Sequence, residues 1–207
     1  MPNRTWKIFI GAMVATAVLL ISPAVFSTEA AVEGKPDLFL GKRTSKAEVY
    51  IVTDWLCPSC REIEPELAKR LPKITSRAKV IFVDFPIHPE SANFTPYHLS
   101  LLVHEKKRYL QARDALFKLA RRTITPSVAD VQQAVSPLGI RLKLLSFVEV
   151  VEGMHYFEAF IKTYHVNMTP TVVVRNSVTN EVRYLLGELE ISGAAILGAV
   201  KNLSGDS

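Results

Sequence analysis

The two cysteines of this chain stand two residues apart, in Cys57-Pro58-Ser59-Cys60, and the segments on either side read as different secondary structures. Glu48-Val49-Tyr50-Ile51-Val52-Thr53-Asp54 is a β-branched, apolar run of the kind that makes a buried strand. From Arg61 onward the pattern is helical, and Pro58 falls in the first turn, where a missing N–H does no harm. A strand that runs through a tight turn straight into a helix points to the α/β class. It also puts a thiol at a helix N-terminus, where unpaired N–H groups and the macrodipole favour the thiolate.

The spacing suits thiol–disulfide exchange better than a structural role. A bridge across two intervening residues restricts the unfolded chain very little, so it is a poor staple. Structural zinc wants four ligands. There is no second Cys-x-x-Cys, and the five histidines (His88, His98, His104, His155, His165) do not cluster. Two unrelated buried thiols are the third structural reading, and the strand–CxxC–helix context weighs against it.

The N-terminus speaks to the redox compartment. Arg4 and Lys7 precede an apolar run over residues 8–26, with Pro23 near its end and small residues around it. Residues 1–30 therefore have the layout of a secretory signal peptide, and the run is also long enough for an uncleaved membrane anchor. Either way residues 31–207 are expected to be exported, into a space where disulfides persist. No cysteine lies near the cleavage region to carry a lipid. What remains is enough for one domain with an ordinary core, without a disulfide scaffold.

The formal charge is +5, and loss of Arg4 and Lys7 leaves 23 basic against 20 acidic residues. The basic clusters Lys106-Lys107-Arg108 and Arg121-Arg122 are not interleaved with aromatics at a base-stacking spacing. They read as solvated helix faces, and no nucleic-acid partner is expected.

Along the exported part, residues 37–42 suit a short edge strand, 48–53 a central strand and 79–85 a second strong strand. The first helix is expected to be kinked by Pro65 and stopped by Pro72. Helical patterns cover residues 95–104, 109–121, 127–135 and 142–164, with Gly139 as a stop. Residues 171–174 and 181–186 should form an antiparallel hairpin about a turn at 176–180, before a last helix over 191–203. This order predicts a mixed sheet flanked by helices, with a helical insertion at about 95–164.

At this point the chain resembles the thioredoxin fold, and within it the exported DsbA-like thiol–disulfide oxidoreductases. Asp54-Trp55-Leu56-Cys57-Pro58-Ser59-Cys60 looks like the family's D-x-x-C-P-x-C, and Pro65 matches its kinking proline. Asp84-Phe85-Pro86-Ile87-His88-Pro89 resembles a strand ending in D-F-P. Val166-Asn167-Met168-Thr169-Pro170-Thr171-Val172 resembles the stretch that holds a cis-proline. The likeness covers about residues 38–203.

The resemblance implies a set of roles. Cys57 is the expected nucleophile, exposed at the helix N-terminus, and Cys60 the more buried resolving thiol. Pro170 is expected to be cis, with Thr169 beside the cysteines offering its backbone to an extended substrate. Trp55 and Leu56 border the site; Trp55 is assigned to substrate binding as an apolar platform, with a core aromatic as its other reading. Pro58 and Ser59 tune the centre. Asp54 orients the turn, moves protons, or serves only as a strand-end cap. Met168 is read as a filler of an apolar groove rather than a metal ligand.

Two departures carry weight. Relatives place a buried carboxylate six residues before the first cysteine, where this chain has Ile51, so the proton acceptor for Cys60 is left unnamed. Ser59 donates a hydrogen bond but no charge, which predicts a weaker oxidant than relatives with His between the cysteines. The expected function is an exported, periplasmic or inner-membrane-anchored thiol–disulfide oxidoreductase, favoured as a disulfide donor. It would act on protein thiols, as a monomer, without cofactor or metal, and be reoxidised by a membrane redox partner inferred from the family. The alternatives are an exported reductase or isomerase and, from another class, a non-catalytic metal carrier using Cys57, Cys60 and Met168.

Overall fold

The computed structural model describes residues 36–204; the apolar leader and its cleavage region lie outside them. No helix among the described residues is long and apolar enough to cross a membrane. The elements run β1 (Leu40–Gly41), β2 (Ala47–Thr53), α1 (Pro58–Thr75), β3 (Lys79–Asp84), α2 (Thr95–His104), α3 (Tyr109–Ala120) and α4 (Val128–Val135). They continue with α5 (Phe147–Thr163), β4 (Thr171–Asn176), β5 (Val182–Leu186), α6 (Gly187–Glu190) and α7 (Gly193–Ser204).

The sheet order is β1-β3-β2-β4-β5; β2 and β3 are parallel and the other pairs antiparallel. Every residue of β2 is buried, as expected of a central strand covered on both faces. β5 lies at the edge and buries only Leu185. The expected mixed sheet, hairpin and edge strand are all present. α2 to α5 fall between β3 and β4.

Two boundaries and one element differ from expectation, each for a local reason. α1 passes through Pro72, because Leu71 and Ile74 of its last turn are buried in the core. Their packing outweighs the hydrogen bond that Pro72 cannot donate. α5 begins at Phe147, because the side chains of Ser146 and Glu149 form a capping box there. The preceding residues are held in irregular backbone by Leu142 N–H donating to Gln132 Oε1 (2.9 Å) and Leu145 N–H donating to Ser100 Oγ (3.1 Å). The short α6 was not anticipated; it starts at Gly187, whose φ of +67° favours glycine.

Strand register decides where the loops meet. Thr53 pairs with Asp84, and Val52 pairs with Thr171. The chain leaving β2, the chain leaving β3 and the chain entering β4 therefore converge at one end of the sheet. Those three loops are Asp54-Trp55-Leu56-Cys57, Phe85 to Ser91, and Met168-Thr169-Pro170.

Candidate active site

Cys57 is the N-cap of α1 and has extended backbone (φ −67°, ψ 123°). No N-cap side chain closes the helix and its first turn carries no acidic residue, so the N–H groups of that turn stay open to the Cys57 thiol. Cys57 is only 7% exposed, less open than the expected surface nucleophile, and its thiol faces the Thr169 carbonyl at 3.7 Å. The Thr169–Pro170 peptide is cis, and Thr169 is half-buried. Pro58 is exposed and Ser59 half-buried on the outer side of the turn.

Cys60 lies one turn further along, fully buried, and accepts a hydrogen bond from Asp54 N–H at 3.4 Å. Burial pushes its thiol far above the ordinary range; the Asp54 N–H pulls the other way, and Cys57 adds to the rise. Both thiols are free in this structure. One thiol at a helix N-cap and a second kept protonated behind it form an asymmetric pair suited to exchange. Ile51, six residues before Cys57, is buried in the middle of β2 between Phe82 and Val172.

The turn between β2 and α1 is built around the Asp54 carboxylate. Its Oδ1 accepts from Leu56 N–H (2.7 Å) and Cys57 N–H (3.2 Å), and from the Ser91 hydroxyl. Its Oδ2 accepts from His88 N–H (2.7 Å) and lies 2.9 Å from His88 Nδ1. Asp54 thus orients the turn, one of its three expected readings, and ties it to the loop after β3. Sequence reasoning noted that loop by its Asp84-Phe85-Pro86 stretch but picked out neither His88 nor Ser91.

Trp55 corrects an expectation. It is 1% exposed and offers substrate no surface. Its ring lies 4.6 Å from Phe117, 6.0 Å from Phe94 and 5.5 Å from His98, with the Arg113 guanidinium 4.8 Å away. The Asp54-centred turn swings it inward, among Phe94, His98 and Phe117, which is the core reading. Apolar side chains that do face solvent near the site are Met168, Leu186 and, on α6, Leu189 at 96% exposure. Gly187 links them to the site, since its N–H donates to the Pro170 carbonyl at 3.0 Å. Met168 therefore borders the site as an exposed side chain.

A second polar cluster, also unforeseen, lies behind Trp55. Arg113, fully buried, grips Glu64 (Nη2–Oε1 2.7 Å, Nε–Oε2 3.1 Å) and donates to Thr53 Oγ1 at 2.8 Å. His98 Nδ1 lies 2.8 Å from Asp84 Oδ1, and Tyr109 OH lies 2.8 Å from His98 Nε2.

A five-stranded sheet of this order, a CxxC at the start of α1 and a cis-proline facing it define a thioredoxin-like protein. The sequence model of the family described as Thioredoxin matches residues 33–184, and the chain belongs to that family. No curated protein matches it by sequence. Among solved structures, the catalytic domain of Proteus mirabilis ScsC superposes with a TM-score of 0.60 at 19% identity, covering 81% of this chain and 89% of that one. Pseudomonas aeruginosa DsbA2 gives 0.58 at 14% identity, over 83% and 96%. A periplasmic thioredoxin-like protein from Salmonella enterica serovar Typhimurium gives 0.59 at 18% identity, over 81% and 90%. At these identities the likeness is one of fold.

Proposed function

We propose that this protein is an exported thiol–disulfide oxidoreductase that acts as a disulfide donor to protein thiols. The observation that carries the reading is the asymmetry of the pair: Cys57 at an uncapped helix N-terminus and Cys60 buried with its thiol pushed up. In the donor direction, a substrate thiolate attacks Cys57 Sγ of the Cys57–Cys60 disulfide. The bond between the cysteines breaks, and Cys60 leaves with the electron pair and takes up a proton. A second substrate thiolate then attacks the substrate sulfur of the mixed disulfide and releases Cys57 as a thiolate. The substrate loses two electrons and gains a disulfide; the enzyme is left as a dithiol for a membrane redox partner to reoxidise. A leaving group is best when its thiol is acidic, so release of Cys57 is helped by the helix N-terminus.

Substrate is taken to lie across Thr169 and Pro170 as an added extended strand, its apolar side chains on Met168, Leu186 and Leu189. The test is the equilibrium of Cys57–Cys60 with a glutathione series. A reduction potential above about −150 mV marks a donor, and one near about −230 mV or lower marks a reductant or isomerase. Failure to equilibrate with glutathione would remove the oxidoreductase reading.

A further inference from the structure

The Asp54 carboxylate is buried a few bonds from the Cys57 thiol, yet the exchange steps above give it no part. Its negative charge works against the helix N-terminus: it engages the Cys57 N–H and repels a thiolate formed there. Touching it, His88 supplies a side chain that can turn positive. The imidazole is 46% exposed, and its Nδ1 lies 2.9 Å from Asp54 Oδ2. Histidine is the side chain whose charge changes between about pH 5 and 8. The other charged groups around the turn are few. Arg61 donates to the Leu56 carbonyl at 3.3 Å, and Glu90 is exposed on the His88 loop. Cys60 stands protonated behind, and Met168, Thr169 and Pro170 bring no titratable side chain.

We propose that His88 is a positioning residue that sets the thiolate strength of Cys57 through Asp54. Protonated, it neutralises the carboxylate and favours the thiolate; neutral, it leaves the negative charge in place and disfavours it. Ser59 carries no charge and Arg61 is bound to the Leu56 carbonyl, so the positive charge that can change at this centre is that of His88, on the loop after β3. Relative to a chain without the imidazole, protonated His88 favours the reduced form, which holds the thiolate, and so makes the centre the stronger oxidant. This inference rests on the oxidoreductase reading.

The test measures, in the full chain, the ultraviolet absorbance of the Cys57 thiolate and the glutathione equilibrium between about pH 5 and 8. His88→Gln keeps a hydrogen-bond donor and removes the charge. It is expected to shift the glutathione equilibrium constant about three- to tenfold against the reduced form at the acid end, converging with the parent at the alkaline end. Asp54→Asn is expected to shift it the opposite way, and His88→Gln is expected to be silent in that background. A residue that only braced the turn would move both variants in one direction at every pH. That outcome, or a His88→Gln profile that overlays the parent, would overturn the proposal. If the parent exchanged with no glutathione at all, the oxidoreductase reading would fall instead, and the thiolate titration would still decide the coupling. Urea unfolding of each variant separates loss of fold from loss of charge.

Discussion

Asp54 and Asp84 end neighbouring strands, and their surroundings are opposites. Asp54 is bonded by three backbone N–H groups, a hydroxyl and a half-exposed imidazole. Asp84 is sealed among side chains, with His98 Nδ1 at 2.8 Å but no well-aligned hydrogen bond to either oxygen. The Arg113 guanidinium nearby lies against the rings of Phe82 (4.2 Å), Trp55 and Phe117. A carboxylate held by the backbone fixes a turn and answers to solvent through one histidine. A charge cluster packed among aromatics stays off the redox centre and serves stability. The same end of the sheet thus holds a responsive layer around the cysteines and an inert one beneath Trp55.

The largest expected effects break the two layers separately. Cys57→Ser is expected to abolish exchange, whereas Cys60→Ser should leave attack possible and accumulate mixed disulfides with substrate proteins; a gel without reductant reads both. Identical behaviour of the two variants would undo the assignment of nucleophile and resolver. In the inert layer, Arg113→Ala strips Glu64 of its partner and leaves a cavity among the rings, at a cost of about 3–5 kcal/mol by urea unfolding. Its glutathione equilibrium is expected to stay with the parent's. Replacing the pair together, as Arg113→Met with Glu64→Leu, should recover most of the loss. A redox shift in Arg113→Ala would show that the layers are not separate.

These contrasts also mark what the residues disclosed in advance. β2, β3 and α2 were legible because β-branched runs and prolines bound them, and the cysteines and Thr169-Pro170 because short motifs hold their chemistry locally. The end of α1 was not legible, since Pro72 signals a stop that the burial of Leu71 and Ile74 overrides. Neither was the start of α5. Leu142, Leu144 and Leu145 continue an apolar pattern, but bonds from Gln132 and Ser100 draw two of their N–H groups away. Trp55 was misassigned because adjacency to Cys57 in sequence says nothing of which way a turn throws a ring. His88 and Ser91 lie 34 and 37 residues from Asp54, and no periodicity connects them. Arg113 sat in an amphipathic helix like any surface arginine until the fold placed Glu64 opposite.

The next effect in size is a pH dependence that belongs to the inert layer alone. Burial by itself would push Asp84 up, but His98 outweighs it, with help from Trp55 and Arg113, and holds the carboxyl below the usual carboxylate range. A folded value below the unfolded one contributes stability that is present above about pH 4 and lost as the pH falls through the folded value. Asp84→Asn is therefore expected to flatten the acid limb of the stability curve and to lower stability near neutrality by roughly 1–3 kcal/mol, as His98 loses its partner. Chemical denaturation across the acid range reads both. An acid limb of unchanged slope would remove Asp84 from the account of acid unfolding.

The smallest effect tests the boundary itself. Thr53 and Asp54 are consecutive, yet the Thr53 hydroxyl accepts from Arg113 in one layer while the Asp54 carboxylate gathers the turn in the other. Thr53→Val keeps the shape and the β preference and deletes one buried acceptor, which should cost about 1 kcal/mol. If the layers are independent, the Cys57 thiolate titration of this variant overlays the parent's at every pH. A shifted titration would mean that strain at Arg113 reaches Asp54 across a single peptide unit. The buried charges would then belong to the redox centre as well as to the core.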